Sequence, residues 1–209
     1  MATLKKYDLN GKEIGLAQID DAKLEVSAHS QSIKDYIIAI RNNARQWSAN
    51  TKRRADSHHT GRKPHPQKGQ GRSRQGDLAA PHYKGGAVVF GPQPKDIHTR
   101  INRKERRAAI QFLLAEKIRG NRVHILQNEE MDAPKTKTVA TFLDQLTMKE
   151  RRVLVLGSSA KSINFGKSLR NIPKKEFMPI SQVNGYELVR CQEIIILDSA
   201  VEQLMTMLG

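Results

Sequence analysis

Twenty consecutive residues from Ser57 to Gly76, SHHTGRKPHPQKGQGRSRQG, cannot contribute to a hydrophobic core. The stretch contains no Val, Ile, Leu, Met, Ala, Phe, Tyr, Trp or Cys, and no Asp or Glu, but five Arg or Lys and three His. Fixing a residue's backbone costs roughly 1–2 kcal/mol, so ordering such a stretch costs on the order of 20–40 kcal/mol. Without apolar side chains it cannot recover this by burying itself. It is expected to be disordered in the free chain and ordered only against a partner. Pro64 and Pro66 bias Lys63 and His65 toward extended backbone. Gly61, Gly69, Gly71 and Gly76 permit sharp turns or a close approach to a surface. The surrounding excursion, 48–94, goes out and back, and extended chain covers about 3.3–3.6 Å per residue. Its reach is therefore at most roughly 80 Å.

The charge is concentrated in the same region. Residues 41–107 hold 17 Lys or Arg against four acids (Asp56, Asp77, Asp96 and Glu105), so they carry +13 of the chain's +15. The rest is nearly neutral, with 19 basic residues against 17 acidic ones. A merely solvated surface mixes signs, and 57–76 has one sign only. The pattern calls for a polyanionic partner, nucleic acid first and an anionic membrane surface second. A single cysteine, Cys191, allows no intrachain disulfide. No apolar stretch has the roughly 20 residues of a membrane span, and MATLKKYDLNGKEIG lacks a signal-peptide core. A soluble, intracellular basic protein with no membrane-spanning segment is expected.

Around the insertion, the pattern predicts an α/β fold: a single globular domain with a mostly parallel sheet covered by helices, plus the long basic extended loop. The body comprises 1–47 and 95–209, and the loop 48–94. KKYDLNGKEIGLAQI reads as a hairpin turning at Asn10-Gly11. SIKDYIIAIRNNARQ places Ile33, Tyr36, Ile37 and Ile40 at helical spacing, with Ser32 as the expected cap. In INRKERRAAIQFLLAEKIRG, Asn102 and Glu105 are spaced like a capping box. Ile110, Leu113, Leu114 and Ile118 form the buried stripe of that helix, and Gly120 stops it. Strands at RVHIL, RRVLVLG, KEFMPI and EIIILD then alternate with helices at PKTKTVATFLDQL, AKSINFGKSLRN and SAVEQLMTML and a helical turn at NGYELVRC. Short apolar strands alternating with helices are the pattern of βα units.

Sites with chemistry are few. His58, His59 and His65 have no interleaved Cys or carboxylate, so no metal site is expected. KGQGRSRQG is not G-x-G-x-x-G and follows no strand, so it is no dinucleotide fingerprint. VLVLGSSAKS could hold a phosphate at a helix start, although such serines more often cap the helix. Cys191 reads as core. Asp144, Glu150 and Asp198 are too scattered for an acid–base pair. Neither catalytic residues nor a cofactor is expected. The candidate RNA contacts are the cations of the loop and its roots: Arg45, Lys52, Arg53, Arg54, Arg62, Lys63, Lys68, Arg72, Arg74, Lys84, Arg100, Arg103, Lys104, Arg106 and Arg107. The last four crowd the first turns of a helix, where cations oppose the helix dipole. Nearby phosphates would remove that penalty, and the helix amides could bind one.

The motifs TGRKP, QKGQGRSRQG, GGAVVFGPQP and NRKERRAAI, in that order, resemble ribosomal protein family four of the large subunit. The resemblance covers nearly the whole chain, with APKTK opening a helix in the body. It implies a structural constituent of the large subunit, bound early in assembly to several domains of 23S-type rRNA. It also implies that the loop threads the rRNA to the wall of the peptide exit tunnel. There the tip, about Lys63–Arg72, would meet a partner of ribosomal protein family twenty-two and the nascent peptide, with Gln67, Lys68 and Gly69 facing the tunnel. Where the family usually has Trp-Arg after Lys-Pro, this chain has His65-Pro66. The competing reading is a nucleic-acid-processing enzyme using the basic loop as a substrate clamp. It would require a convergent acid cluster or a phosphate fingerprint at the strand ends, and the sequence shows neither.

Overall fold

The computed structural model describes residues 2–127, 131, 133–158 and 162–208. It divides into two compact units. One joins the chain up to Arg41 with the chain from Thr99 onward, and the other is Asn42–His98.

The first unit opens with the expected hairpin. Strands β1 (Ala2–Tyr7) and β2 (Glu13–Ile19) pair antiparallel, with Lys5 opposite Leu16. The turn between them closes through Asp8 N–H to the Lys12 carbonyl at 3.0 Å and Gly11 N–H to the Asp8 carbonyl at 2.9 Å. Gly11 has φ +69, and a Cβ there would strike the Gln145 side chain, so both conformation and space require glycine.

Four further strands follow: β3 (Val123–Leu126), β4 (Val153–Gly157), β5 (Lys175–Pro179) and β6 (Glu193–Leu197). Among the described residues the six strands form one sheet in the order β2-β1-β3-β6-β4-β5. Every pairing except the hairpin is parallel. Parallel strands need crossovers, and helices supply them. These are α3 (Thr136–Gln145) between β3 and β4, α4 (Ile163–Leu169) between β4 and β5, and α5 (Gly185–Arg190) between β5 and β6. A 3₁₀ turn, Asp198–Ala200, leads into α6 (Val201–Leu208).

Helices cover both faces, so the central strands are apolar on both. On one face Ile125, Leu154, Leu156, Ile194 and Ile196 pack with Leu113, Leu114 and Ile118 of α2 (Arg103–Arg119) and with Leu204 of α6. On the other, Leu126, Val153, Val155, Ile195 and Leu197 meet Val139, Phe142 and Leu143 of α3 and Phe165 and Leu169 of α4. This explains the uninterrupted apolar runs VLVLG and, after Glu193, IIIL, since successive residues face opposite sides of the sheet and both sides are covered. The stripe of α2, Ile110, Leu113, Leu114 and Ile118, is buried in full, and Gly120 ends the helix with its N–H on the Glu116 carbonyl at 3.0 Å. Cys191 is buried in the core.

Two expected caps are corrected. Helix α1 spans Ser30–Ala44, so Ser32 lies inside its first turn. The start is held by His29, whose Nδ1 accepts from Gln31 N–H at 3.2 Å and whose carbonyl accepts from Ile33 N–H at 3.2 Å. An imidazole nitrogen here does the work expected of a hydroxyl. Asn102 does sit at the N-cap of α2, but its side chain caps no backbone N–H. Its amide instead donates to the Glu105 carboxylate at 3.4 Å. The two side chains satisfy each other instead of the helix end, so no capping box forms. In VLVLGSSAKS, residues 159–161 lie outside the described residues. Of the flanking serines, Ser162 starts α4 without a side-chain cap bond and places its hydroxyl 3.3 Å from that of Ser199.

Candidate nucleic-acid interface

Between α1 and α2 the chain contains turns but no helix or strand. Its order comes from single hydrogen bonds between two limbs. Lys95 N–H donates to the Trp47 carbonyl at 3.2 Å, and Val88 N–H to the Lys52 carbonyl at 3.0 Å. The Thr51 hydroxyl donates to the Pro92 carbonyl at 3.1 Å, and the Gln93 side-chain amide to the Thr51 carbonyl at 3.0 Å. Further out, Arg54 and Asp77 pair at 2.9 Å. The Asp77 carboxylate also accepts from Ala79 N–H at 3.1 Å. The Ala79 amide and then the Arg54 guanidinium hold the Asp77 carboxyl below its usual range. The pair is exposed, so it contributes position more than stability.

Trp47 organises the root. Its indole N–H donates to the Asn42 carbonyl at 3.1 Å. The Arg45 guanidinium lies 4.4 Å from the ring centroid and the Lys95 ammonium 5.5 Å from it. Each such contact contributes about 0.5–1 kcal/mol at an exposed site, and together they fix a cation from each limb on one ring. Sequence reasoning missed this role, although a lone Trp beside Arg45 in an otherwise polar stretch was a usable signal.

The far end of the excursion turns back through Gly69 (φ +92) and Gly71 (φ +59). The His65 ring Nε2 lies 2.9 Å from the Ser73 carbonyl, bridging the turn. Within it, the Lys63 ammonium donates to the Gln67 side-chain oxygen. His65 thus joins the two arms of the turn, at a position where the resembled family usually carries Trp. Gln67, Lys68 and Gly69 are exposed at this turn.

All fifteen candidate RNA-contacting cations are exposed. Arg45, Lys52, Arg53, Arg54, Arg62, Lys63, Lys68, Arg72, Arg74 and Lys84 belong to the Asn42–His98 unit, and Arg100, Arg103, Lys104, Arg106 and Arg107 to the other. Among the described residues, only Arg54 of the fifteen is paired with a carboxylate. The remainder offer their charge outward. Arg106 and Arg107 also border a cleft of about 670 Å³ with Tyr36, Ile110, Ser181 and Gln182.

The buried ionisable groups of the sheet do structural work. Glu193 is held by Arg151 at 2.6 Å and faces His124 at 3.4 Å. Burial pushes the His124 imidazole below its usual range, against the pull of Glu193. Burial pushes the Cys191 thiol up to about 11, which keeps it protonated and a poor nucleophile at neutral pH. Among the described residues no group of three His, Cys, Asp or Glu is gathered as metal ligands would be. No helix among them is long and apolar enough to cross a membrane.

An α/β body with helices on both faces of its sheet, together with a predominantly basic loop of exposed cations, is the architecture of a structural binding protein. The chain belongs to the ribosomal protein L4/L1 family, whose model matches residues 17–207. It is 33% identical over 204 residues to a large ribosomal subunit protein uL4 of Lachnoclostridium phytofermentans, covering 98% of each chain. To the uL4 protein of Lachnospira eligens it is 31% identical over 204 residues, again 98% of each chain. To that of Spiroplasma kunkelii it is 31% identical over 202 residues, 96% of this chain and 97% of the other. Membership in this family makes the chain a ribosomal protein and not an enzyme, which sets aside the substrate-clamp reading.

Proposed function

We propose that this chain, by family a structural constituent of the large ribosomal subunit in the cytoplasm, is a primary binder of 23S-type rRNA that joins early in assembly and contacts several rRNA domains. The observation that carries this is the outward display of fifteen cations, fourteen of them without a carboxylate partner among the described residues. Cations so placed release condensed counterions when phosphates replace them. The loop 48–94 is the part that penetrates the rRNA and lines the exit tunnel. Gln67, Lys68 and Gly69 face its lumen beside the family twenty-two protein and the nascent peptide. The body, 1–47 and 95–209, stays on the subunit surface among neighbouring ribosomal proteins.

The test is binding of the purified chain to 23S-type rRNA across a salt series, followed by a density map of large subunits containing it. Affinity should fall with salt at a log–log slope of about 0.7–0.9 per phosphate neutralised. A salt-independent affinity, or a loop mapped away from the tunnel, would refute the corresponding half of the proposal.

A further inference from the structure

We infer that Phe90 is a stacking platform for an unpaired nucleobase of the bound RNA. The inference rests on the rRNA-binding reading and adds a contact that charge alone does not supply. Phe90 is 102% exposed, so its ring packs against nothing in the free chain. Its backbone is left-handed, φ +55, a conformation that costs a bulky side chain free energy. A chain selected only to fold would place glycine there. The cost is incurred at a residue that returns no packing.

The surroundings hold this ring outward. Next to it, Gly91 leaves no room for a Cβ, because the Thr51 side chain and Val88 occupy that space. Two residues before it, Val88 N–H is bonded to the Lys52 carbonyl at 3.0 Å. The ring is therefore mounted on the hydrogen-bonded root of the loop, next to the limb carrying Lys52, Arg53 and Arg54. The contrast with Trp47 is informative. Trp47 has its indole N–H bonded and two cations on its ring, whereas Phe90 keeps both ring faces free.

Cations for phosphates beside an open aromatic face for a base are the combination used to bind unpaired RNA. Val88 and Val89, 48% and 56% exposed, extend the apolar surface beside the ring. Three side chains are far short of the roughly 800 Å² per partner of a stable protein interface. The neighbouring charge is predominantly basic, with Lys52, Arg53 and Arg54 against Asp56 and Asp77, which suits RNA.

The experiment measures affinity of the full chain for 23S-type rRNA at several salt concentrations, for wild type, Phe90→Ala, Phe90→Leu and Phe90→Trp. Loss of one base–aromatic stack corresponds to about 5- to 140-fold weaker binding. Phe90→Ala and Phe90→Leu should both show that loss with the salt slope unchanged, since no charge is removed. Phe90→Trp should bind as wild type, and RNA should quench its fluorescence beyond the change seen with Trp47 alone. Wild-type affinity in Phe90→Ala would overturn the inference while leaving the rRNA reading intact. Full affinity in Phe90→Leu would replace stacking with a simple apolar contact, which a protein could equally supply, and would overturn it too. Thermal unfolding is the control: a lowered midpoint in any variant would mean that the ring packs within the chain, against the inference. Failure of wild type itself to bind would refute the rRNA reading and this inference with it.

Discussion

Lys175 is a cation that a basic chain has turned inward. It is 5% exposed on β5. Its ammonium donates to the carbonyls of Met148 at 2.7 Å, Lys149 at 3.0 Å and Arg151 at 2.6 Å. Three donors meet three acceptors, which pins the turn between α3 and β4. Burial pushes its pKa below the ordinary lysine value, with Lys174 adding to the effect. Lys175→Met keeps the stem and removes all three donors. A buried carbonyl left without a donor costs about 1–3 kcal/mol; the carbonyls of the exposed Lys149 and Arg151 can turn to water, so a loss of about 1–3 kcal/mol, chiefly from the Met148 carbonyl, is expected. Urea unfolding measures this, and an unchanged midpoint would show that the turn holds without the lysine. Nothing in the sequence marked Lys175, because a lysine that opens a short strand looks like any surface lysine until the carbonyls of Met148, Lys149 and Arg151 are placed around it.

His124 makes a second prediction at this scale. Its pKa is lowered in the folded chain, by burial first, then by Lys5 and Arg151, with Glu193 opposing. Below about pH 6.5 the unfolded chain therefore binds more protons at this site than the folded chain. The contribution of neutral His124 is present above that pH and is lost as pH falls through the folded pKa. Stability of the chain should decline with acid just below 6.5, before most carboxylates titrate. His124→Asn should flatten that part of the profile. Unfolding midpoints measured between pH 7 and pH 5 decide it, and an identical slope in both proteins would reject the role.

Among the elements, helix α2 shows a conflict between folding and binding. Arg103, Lys104, Arg106 and Arg107 occupy its first turns, where the helix dipole disfavours cations by about 0.3–1 kcal/mol each near the end. Only Glu105 opposes them there. Changing the four to Gln should therefore raise stability of the free chain by roughly 1 kcal/mol. The same change should weaken rRNA binding and flatten its salt slope by about 0.7 for each phosphate no longer neutralised. Opposite signs in the two measurements support a helix end shaped by RNA. A drop in stability would show that the cations serve the fold.

The elements themselves were legible, because the period-two and helical patterns coincide with what the sheet requires. Val153–Gly157 and Ile194–Leu197 carry no polar side chain because both faces of β4 and β6 are covered. The Asn10-Gly11 turn was legible from backbone chemistry alone. The caps were less so. Asn102 is in position, but its side chain bonds Glu105, and His29 took the place expected of Ser32. Such choices depend on side-chain rotamers that a pattern does not encode. Of the candidate site, the cations were legible as charge density. Phe90 was not, because AVVF before a glycine reads as the end of a core strand, and only its exposure distinguishes it.

For the whole molecule, the division of labour is between a body that folds by burial and a loop tied limb to limb at its root but only locally in its outer stretch. Within Ser57–Gly76 the bonds are short-range, such as Arg62 N–H to the Thr60 hydroxyl at 3.3 Å and His65 to the Ser73 carbonyl at 2.9 Å. None of its residues is buried. Arg54 and Asp77 already meet at 2.9 Å across the base of the stretch, so a short Gly-Ser bridge can join Asp56 to Asp77. Loop closure then changes by only about a few tenths of a kcal/mol, because its cost grows with the logarithm of length. The deleted chain should unfold cooperatively within about 2 °C of wild type, since a few tenths of a kcal/mol shift a domain of this size no further. It should still bind rRNA through Arg45, Lys52, Arg53, Arg54, Lys84 and the cations of α2, with a shallower salt slope because Arg62, Lys63, Lys68, Arg72 and Arg74 are gone. In large subunits carrying it, the tunnel should be wider where Gln67, Lys68 and Gly69 are proposed to sit. Calorimetry, a salt titration and a density map read the three results separately. An unfolded body would show that the stretch supports the core. A full salt slope would place its cations away from phosphate, and an unwidened tunnel would remove the tip from the lumen.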